Sequence, residues 1–243
     1  MKNLFIFFGE YRTFDTIIQQ LDIPSNFDVV FSTWNMSIKY LVGDFDINNP
    51  ISTQPQRVLR KITNNDIDIH NKNIKTFIHP INKKFLYNTT NMIFHWQFVI
   101  NSVDETRYDN VILHRCDMLS KINEINLNKI QNHILYCDPG LIGEKGLWMG
   151  DYLFLGKFDI IKKFVNAFEL IDYTEPHFPL GNKIIELNIQ YKSINSCFDN
   201  SYSHIIAAEQ QHFIDELNKK NIKILDYIGT PLYQNFLKFY GNH

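Results

Sequence analysis

Short apolar runs rich in β-branched and aromatic residues alternate along this chain with stripes of 3.6-residue period. That alternation limits the fold more than any other feature of the sequence. The runs Leu4 to Phe8, Asp28 to Ser32, Asn110 to His114, Ile134 to Cys137, Tyr152 to Leu155 and Ile222 to Leu225 read as buried strands. Between several of them lie helical stripes: Phe14, Ile17, Ile18 and Leu21; Met92, Trp96, Val99, Ile100 and Val103; and Ile161, Phe164, Val165 and Phe168. A fourth stripe spans about 203–219, with Ile206, Phe213 and Leu217 inward. Strand and helix in alternation predict a three-layer α/β domain. Polar segments at 44–57 and 64–90, and a Pro- and Gly-bearing one at 172–183, read as loops over a sheet edge or a cleft. No internal repeat or long linker divides the 243 residues, so one domain over 1–243 is expected.

Charge and the chain ends narrow the function classes. With 24 Lys and Arg against 26 Asp and Glu, the net charge is 24 − 26 = −2. That balance argues against a long nucleic acid as partner. The apolar run after Lys2 stops at Gly9-Glu10, too short for a secretory leader, and nothing approaches the length of a membrane span, so a cytoplasmic chain is expected. Cys116, Cys137 and Cys197 are far apart and form no CxxC pair, which reads as reduced structural thiols.

Four segments carry polar residues to strand ends, where α/β sheets collect ligands. The turn Phe8-Gly9-Glu10-Tyr11-Arg12-Thr13-Phe14 joins the first strand to the first helix. Gly9 lets the backbone turn, and Arg12 has the fork to hold a phosphate. Ser32-Thr33-Trp34 ends the second strand with hydroxyls and an indole suited to a base or ribose, or with a tryptophan that packs into the core. Arg115 and Asp117 end the strand around 110–114, the acid placed for a hard divalent ion and the arginine for an anion or as partner of that acid. Gly150 delivers Asp151 to the start of an apolar strand, as a general base or a turn cap. Glu209 and His212, three apart on the fourth stripe, read more readily as a solvated face than as metal ligands. Neither GxGxxG nor a P-loop occurs, which excludes the common dinucleotide and kinase fingerprints.

Taken in order, Gly9-x-x-Arg12-Thr13-Phe14, Ser32-Thr33-Trp34, Arg115-x-Asp117 and Gly150-Asp151 resemble the motifs of a family of small GT-A-type glycosyltransferase-like proteins from bacterial polysaccharide loci and large DNA viruses. The resemblance covers about 1–165 and implies a three-layer α/β/α, Rossmann-like fold for nucleotide-diphospho-sugar transfer with a mixed central sheet. It implies transfer of a sugar from a nucleoside-diphosphate sugar, with UDP favoured, to a hydroxyl of a glycan or lipid-linked acceptor in surface polysaccharide or glycan synthesis. By its analogy Gly9, Arg12, Thr33, Trp34 and Arg115 surround the nucleotide, Asp117 takes a Mn²⁺ or Mg²⁺ ion, and Asp151 meets the acceptor. Residues from about 166 to 243 form the acceptor side and closing helices, and the chain works in the cytoplasm or peripherally at the inner membrane face. One position departs from the pattern: Arg115 stands where the first acid of Asp-x-Asp is expected. That replacement also fits the rival reading, a module that binds a nucleotide sugar or glycan without turnover.

Overall fold

The continuous apolar run at the amino end becomes the centre of the molecule because both faces of that strand are covered. In the computed structural model, residues 2–11, 14–41, 56–68, 74–80, 88–171, 173, 175–199, 204–206 and 211–227 are described. Within them the chain runs β1 (Lys2–Phe8), α1 (Phe14–Gln20), β2 (Phe27–Trp34), β3 (Met36–Leu41), β4 (Gln56–Lys61), α2 (Asn64–Asp68), β5 (Ile74–His79), α3 (Asn88–Ser102), β6 (Tyr108–Arg115) and β7 (Met118–Ser120). It continues through β8 (Ile134–Cys137), β9 (Pro139–Gly143), β10 (Gly146–Met149), β11 (Leu153–Lys157), α4 (Phe158–Asn166), α5 (His177–Glu186), β12 (Gln190–Ser193), β13 (His204–Ile206) and α6 (Gln211–Lys219).

Seven strands form one sheet in the order β12-β8-β11-β6-β1-β2-β5. Pairings are parallel except at β11, which is antiparallel to both β6 and β8. The fold class is therefore the expected α/β one with a mixed central sheet. Along β1, Phe5 and Phe7 enter a core shared with Phe14, Ile17 and Ile18 of α1 and with Ile214 and Leu217 of α6. Leu4, Ile6 and Phe8 enter the opposite core with Trp96 and Val99 of α3, Ile161 and Phe164 of α4, and Leu180 of α5. Phe7 meets Phe14 edge-on at 5.2 Å, and Phe8 meets Trp96 the same way at 5.1 Å. Each such ring, fully buried, stabilises the fold by about 1.5–3 kcal/mol relative to exposure.

The structure corrects several expectations from the sequence. Residues 222–225 form no strand: Ile222 N–H closes α6 onto the Leu217 carbonyl, and Ile224 N–H is bound by the Gln20 side chain, so a short 3-10 turn at Ile224–Tyr227 follows. The fourth helix starts at Gln211, and His204–Ile206 pairs with β7 as a strand instead. Within 64–90, read as loop, lie α2, the sheet-edge strand β5 and the start of α3. Part of 172–183 is α5. Its first N–H groups, on His177 and Phe178, are capped by the Glu175 carboxylate, and Pro179 sits in the first turn, where its missing N–H breaks no bond. The glycine-rich stretch before Asp151 is the second strand of a hairpin, β9–β10, inserted between β8 and β11. No helix among the described residues is long and apolar enough to cross a membrane.

Candidate active site at the carboxyl end of the sheet

From β1 the chain steps to β2 and β5 on one side and then returns to β6 on the other, so the strand order reverses between β1 and β6. Such a switch point leaves a crevice beyond the carboxyl ends of the strands. Gly9 follows β1 at this end, Thr33 and Trp34 close β2, Arg115 closes β6 and Asp117 lies in the turn just after it. Because β11 alone runs backwards, its amino end lies here too, with Leu153 opposite His114 and the Arg115 N–H donating to the Tyr152 carbonyl at 3.0 Å. Asp151 thereby arrives beside Arg115, although 36 residues separate them in sequence.

The switch point is tied together by backbone. Gly9 has φ +114°, a conformation open to glycine, and its N–H donates to the Ser32 carbonyl at 3.3 Å. Cys116 N–H donates to the Phe8 carbonyl at 3.1 Å, and its thiol donates to the Glu10 carbonyl at 2.8 Å. The three described cysteines are buried free thiols, as expected, and burial pushes the Cys197 thiol up to about 12.

Arg115 is the centre of the polar cluster. Its Nε donates to Asp117 Oδ1 at 2.9 Å and its Nη2 to Asp117 Oδ2 at 2.8 Å, a bidentate fork, while Nη1 donates to Asp151 Oδ1 at 3.0 Å. The side chains of Arg115, Asp117 and Asp151 are 21%, 7% and 15% exposed. The guanidinium also lies 5.4 Å from the centre of the Tyr152 ring. Burial disfavours the Arg115 charge, but Asp117 and then Asp151 outweigh it and hold the group protonated above its ordinary range. One cation and two carboxylates give the trio a net charge of −1. Asp117, expected to take a divalent ion, thus has both oxygens committed to Arg115. A hard cation needs about six oxygen ligands. Among the described residues no group of three or more His, Cys, Asp or Glu side chains is arranged to hold one. With Arg115 in place, the described donor set does not fit a divalent ion.

The other expected residues are placed differently. Thr33 is fully buried, with no hydrogen-bond partner for its hydroxyl. Trp34 is buried and stacks on Phe94 at 5.2 Å with an interplanar angle of 15°. Arg12 lies outside the described residues, as do Glu209, the His212 side chain and the C-terminal residues from 228 on.

Residues with no sequence motif complete the site. Asp138 follows β8, its carbonyl accepts from Gly150 N–H at 2.9 Å, and its charge acts on Tyr152, whose hydroxyl is raised first by burial and then by Asp151. An acid directly after an apolar run was the available signal, the same pattern that picked out Asp117. Arg60, on β4, lies 4.6 Å over the Tyr11 ring and 3.7 Å from Asp15 on α1, and its buried Nε and Nη2 have no hydrogen-bond partner. Behind Trp34, the Ser32 hydroxyl lies between His79 Nε2 at 3.0 Å and His95 Nδ1 at 2.8 Å. Burial holds both imidazoles below their ordinary range, His95 by far the more, with His79 adding to its shift. At the opposite end of the sheet a cavity of about 1100 Å³ is lined by Asp28, Lys75, Arg107 and Tyr108. There Asp28 is already bound by Lys2, Arg107 and the Tyr108 hydroxyl.

Fold and site together define an open α/β sheet protein with a charged crevice at its topological switch point. Comparison with solved structures finds similarity to the glycosyltransferase GlyE of Streptococcus pneumoniae TIGR4, in its apo form and in a second structure. Identities are 14% and 13%, TM-scores 0.43 and 0.44, and 79% of this chain is covered in each case. This chain spans 45% of the GlyE chains. A candidate nucleotide-diphospho-sugar transferase of Desulfovibrio desulfuricans G20 is similar at 14% identity and TM-score 0.43, over 79% of this chain and 80% of its own. Neither protein-family models nor curated proteins give a match.

Proposed function

We propose that this chain is a glycosyltransferase that moves a sugar from a nucleoside-diphosphate sugar to an acceptor hydroxyl. The observation that carries the reading is the convergence of Arg115, Asp117 and Asp151, from β6 and from the start of the reversed β11, at the switch point of the sheet. Asp151 spends Oδ1 on Arg115, and Oδ2 has no hydrogen bond among the described residues. That oxygen is the acceptor of the proton. The acceptor oxygen bonds to the anomeric carbon as the bond from that carbon to the β-phosphate oxygen breaks. The proton passes to Asp151 and the electron pair leaves on the nucleoside diphosphate. With the trio at net −1, positive charge for the leaving group comes from other groups, and Arg60, over the Tyr11 ring beside the turn after β1 and paired with Asp15 at 3.7 Å, is a described cation near that turn.

In the same reading the donor is a UDP-sugar and the acceptor a glycan or lipid-linked intermediate of surface polysaccharide synthesis, met at the inner face of the membrane. Leu141 and Ile142, 89% and 71% exposed on the hairpin next to Asp151, support an apolar acceptor. A non-catalytic binding module is the second reading, favoured by the hold of one guanidinium on both carboxylates. Thermal shift against UDP, GDP, CDP and dTDP tests the first step, since a ligand of the folded state raises the melting temperature. Release of nucleoside diphosphate from the stabilising sugar nucleotide then separates enzyme from binder. No shift with any of the four removes every reading that depends on a nucleotide sugar, the transferase included.

A further inference from the structure

We infer that Arg115 is the resident cation of this site: its guanidinium fills the place between Asp117 and Asp151 that a divalent ion would need, and positions the two carboxylates without a metal. The three hydrogen bonds that carry this, at 2.9, 2.8 and 3.0 Å, run from one planar group to two acids delivered by different strands. A planar fork fixes direction as well as charge, which a bound ion would otherwise supply. Moving it aside is costly. The Arg115 backbone N–H is part of the β6–β11 contact through Tyr152, and the side chain lies against the Tyr152 ring. A guanidinium stays charged at ordinary pH, so an incoming divalent ion meets a cation already paired with both carboxylates, in surroundings that screen poorly. Two of the five guanidinium N–H groups are left over after these bonds, enough to meet one phosphate or acceptor oxygen. Arg115 is thus a positioning residue, and transfer by this site is indifferent to chelators.

The inference rests on the transferase reading for the work the carboxylates do, but its test needs no nucleotide, so the two can fail separately. The purified full chain is titrated with Tb³⁺, whose emission the Tyr152 ring beside Arg115 sensitises, and with Mn²⁺ as competitor. The native chain is expected to show no saturable site. Arg115→Ala and Arg115→Met, the second keeping the length of the side chain, are expected to expose the carboxylate pair and gain a Mn²⁺-competed Tb³⁺ site. That site should be at least about a hundredfold tighter than in the native chain and lost again on adding Asp117→Asn. Binding by the native chain as tight as by the variants overturns the inference, whatever the variants' folding. So does a failure of the folded variants to gain a site. Absence of any nucleotide shift in the earlier assay would remove the transferase reading and leave this result standing.

Discussion

Arg115 grips Asp117 from two positions away at the same strand end, with two parallel N–H bonds at 2.9 and 2.8 Å onto the two carboxylate oxygens. Arg115 ends β6 and Asp117 lies in the two-residue turn that leads into β7, so the pair is local and needs no distant segment to bring it together. Asp117→Ala leaves a mostly buried guanidinium with only Asp151, and should cost about 3 kcal/mol in urea unfolding. Asp117→Asn keeps one acceptor and should lose less. Equal stability for native and Ala forms would mean that solvent already compensates Arg115.

In the proposed transfer, Asp151→Asn keeps an oxygen for Arg115 but removes the base. Transfer should fall roughly 10²- to 10⁴-fold, while the thermal shift given by the nucleotide is unchanged. Full turnover in this variant would dismiss Asp151 as the proton acceptor.

The imidazole pair around Ser32 makes stability depend on pH. Both His79 and His95 have native pKa values held below the ordinary 6.5 by burial. The unfolded chain therefore binds more protons there, stability is fully present above about pH 6.5, and it is lost as pH falls through the region below. Melting temperature should drop between pH 7.5 and 5.5, and His95→Gln should flatten that slope. An unchanged slope in the variant would assign the dependence to other groups.

Gly9→Ala forces a side chain into φ +114°, at a cost of about 1–3 kcal/mol. The added methyl would sit 3.4 Å from the Cys116 sulfur, an ordinary contact, so the loss is one of backbone conformation and should not be relieved by Cys116→Ser. A variant as stable as the native chain would show that the turn relaxes.

Gly181 is a different case, because a Cβ there would lie 1.9 Å from the Leu147 carbonyl oxygen. Gly181→Ala must push α5 off β10, and both stability and transfer should fall, since β10 leads directly to Gly150 and Asp151. Native transfer with a lowered melting temperature would separate the packing of α5 from the site.

The strands with continuous apolar character were legible in the sequence, because burial on both faces leaves no polar alternation; β1, β6 and β8 are of this kind. β5 was not, since an edge strand with no fully buried residue looks like polar loop. Arg115, Asp117 and Asp151 were readable as residues at strand ends. What was hidden was their mutual contact, which depends on the reversal of β11, and no local pattern encodes strand direction. Arg60 was hidden for a related reason, since its meeting with Tyr11 and Asp15 is a matter of tertiary placement.

The bond from Gly150 N–H to the Asp138 carbonyl, 2.9 Å long, closes the base of the β9–β10 hairpin before the chain reaches Asp151. Within that loop the two strands are unequal: Leu147 and Met149 of β10 are fixed in the core against α5, whereas Leu141 and Ile142 of β9 face solvent. The exposed side chains of β9 can therefore be exchanged without shifting the register of β11, so the outer face of the hairpin can diverge while Asp151 stays beside Arg115.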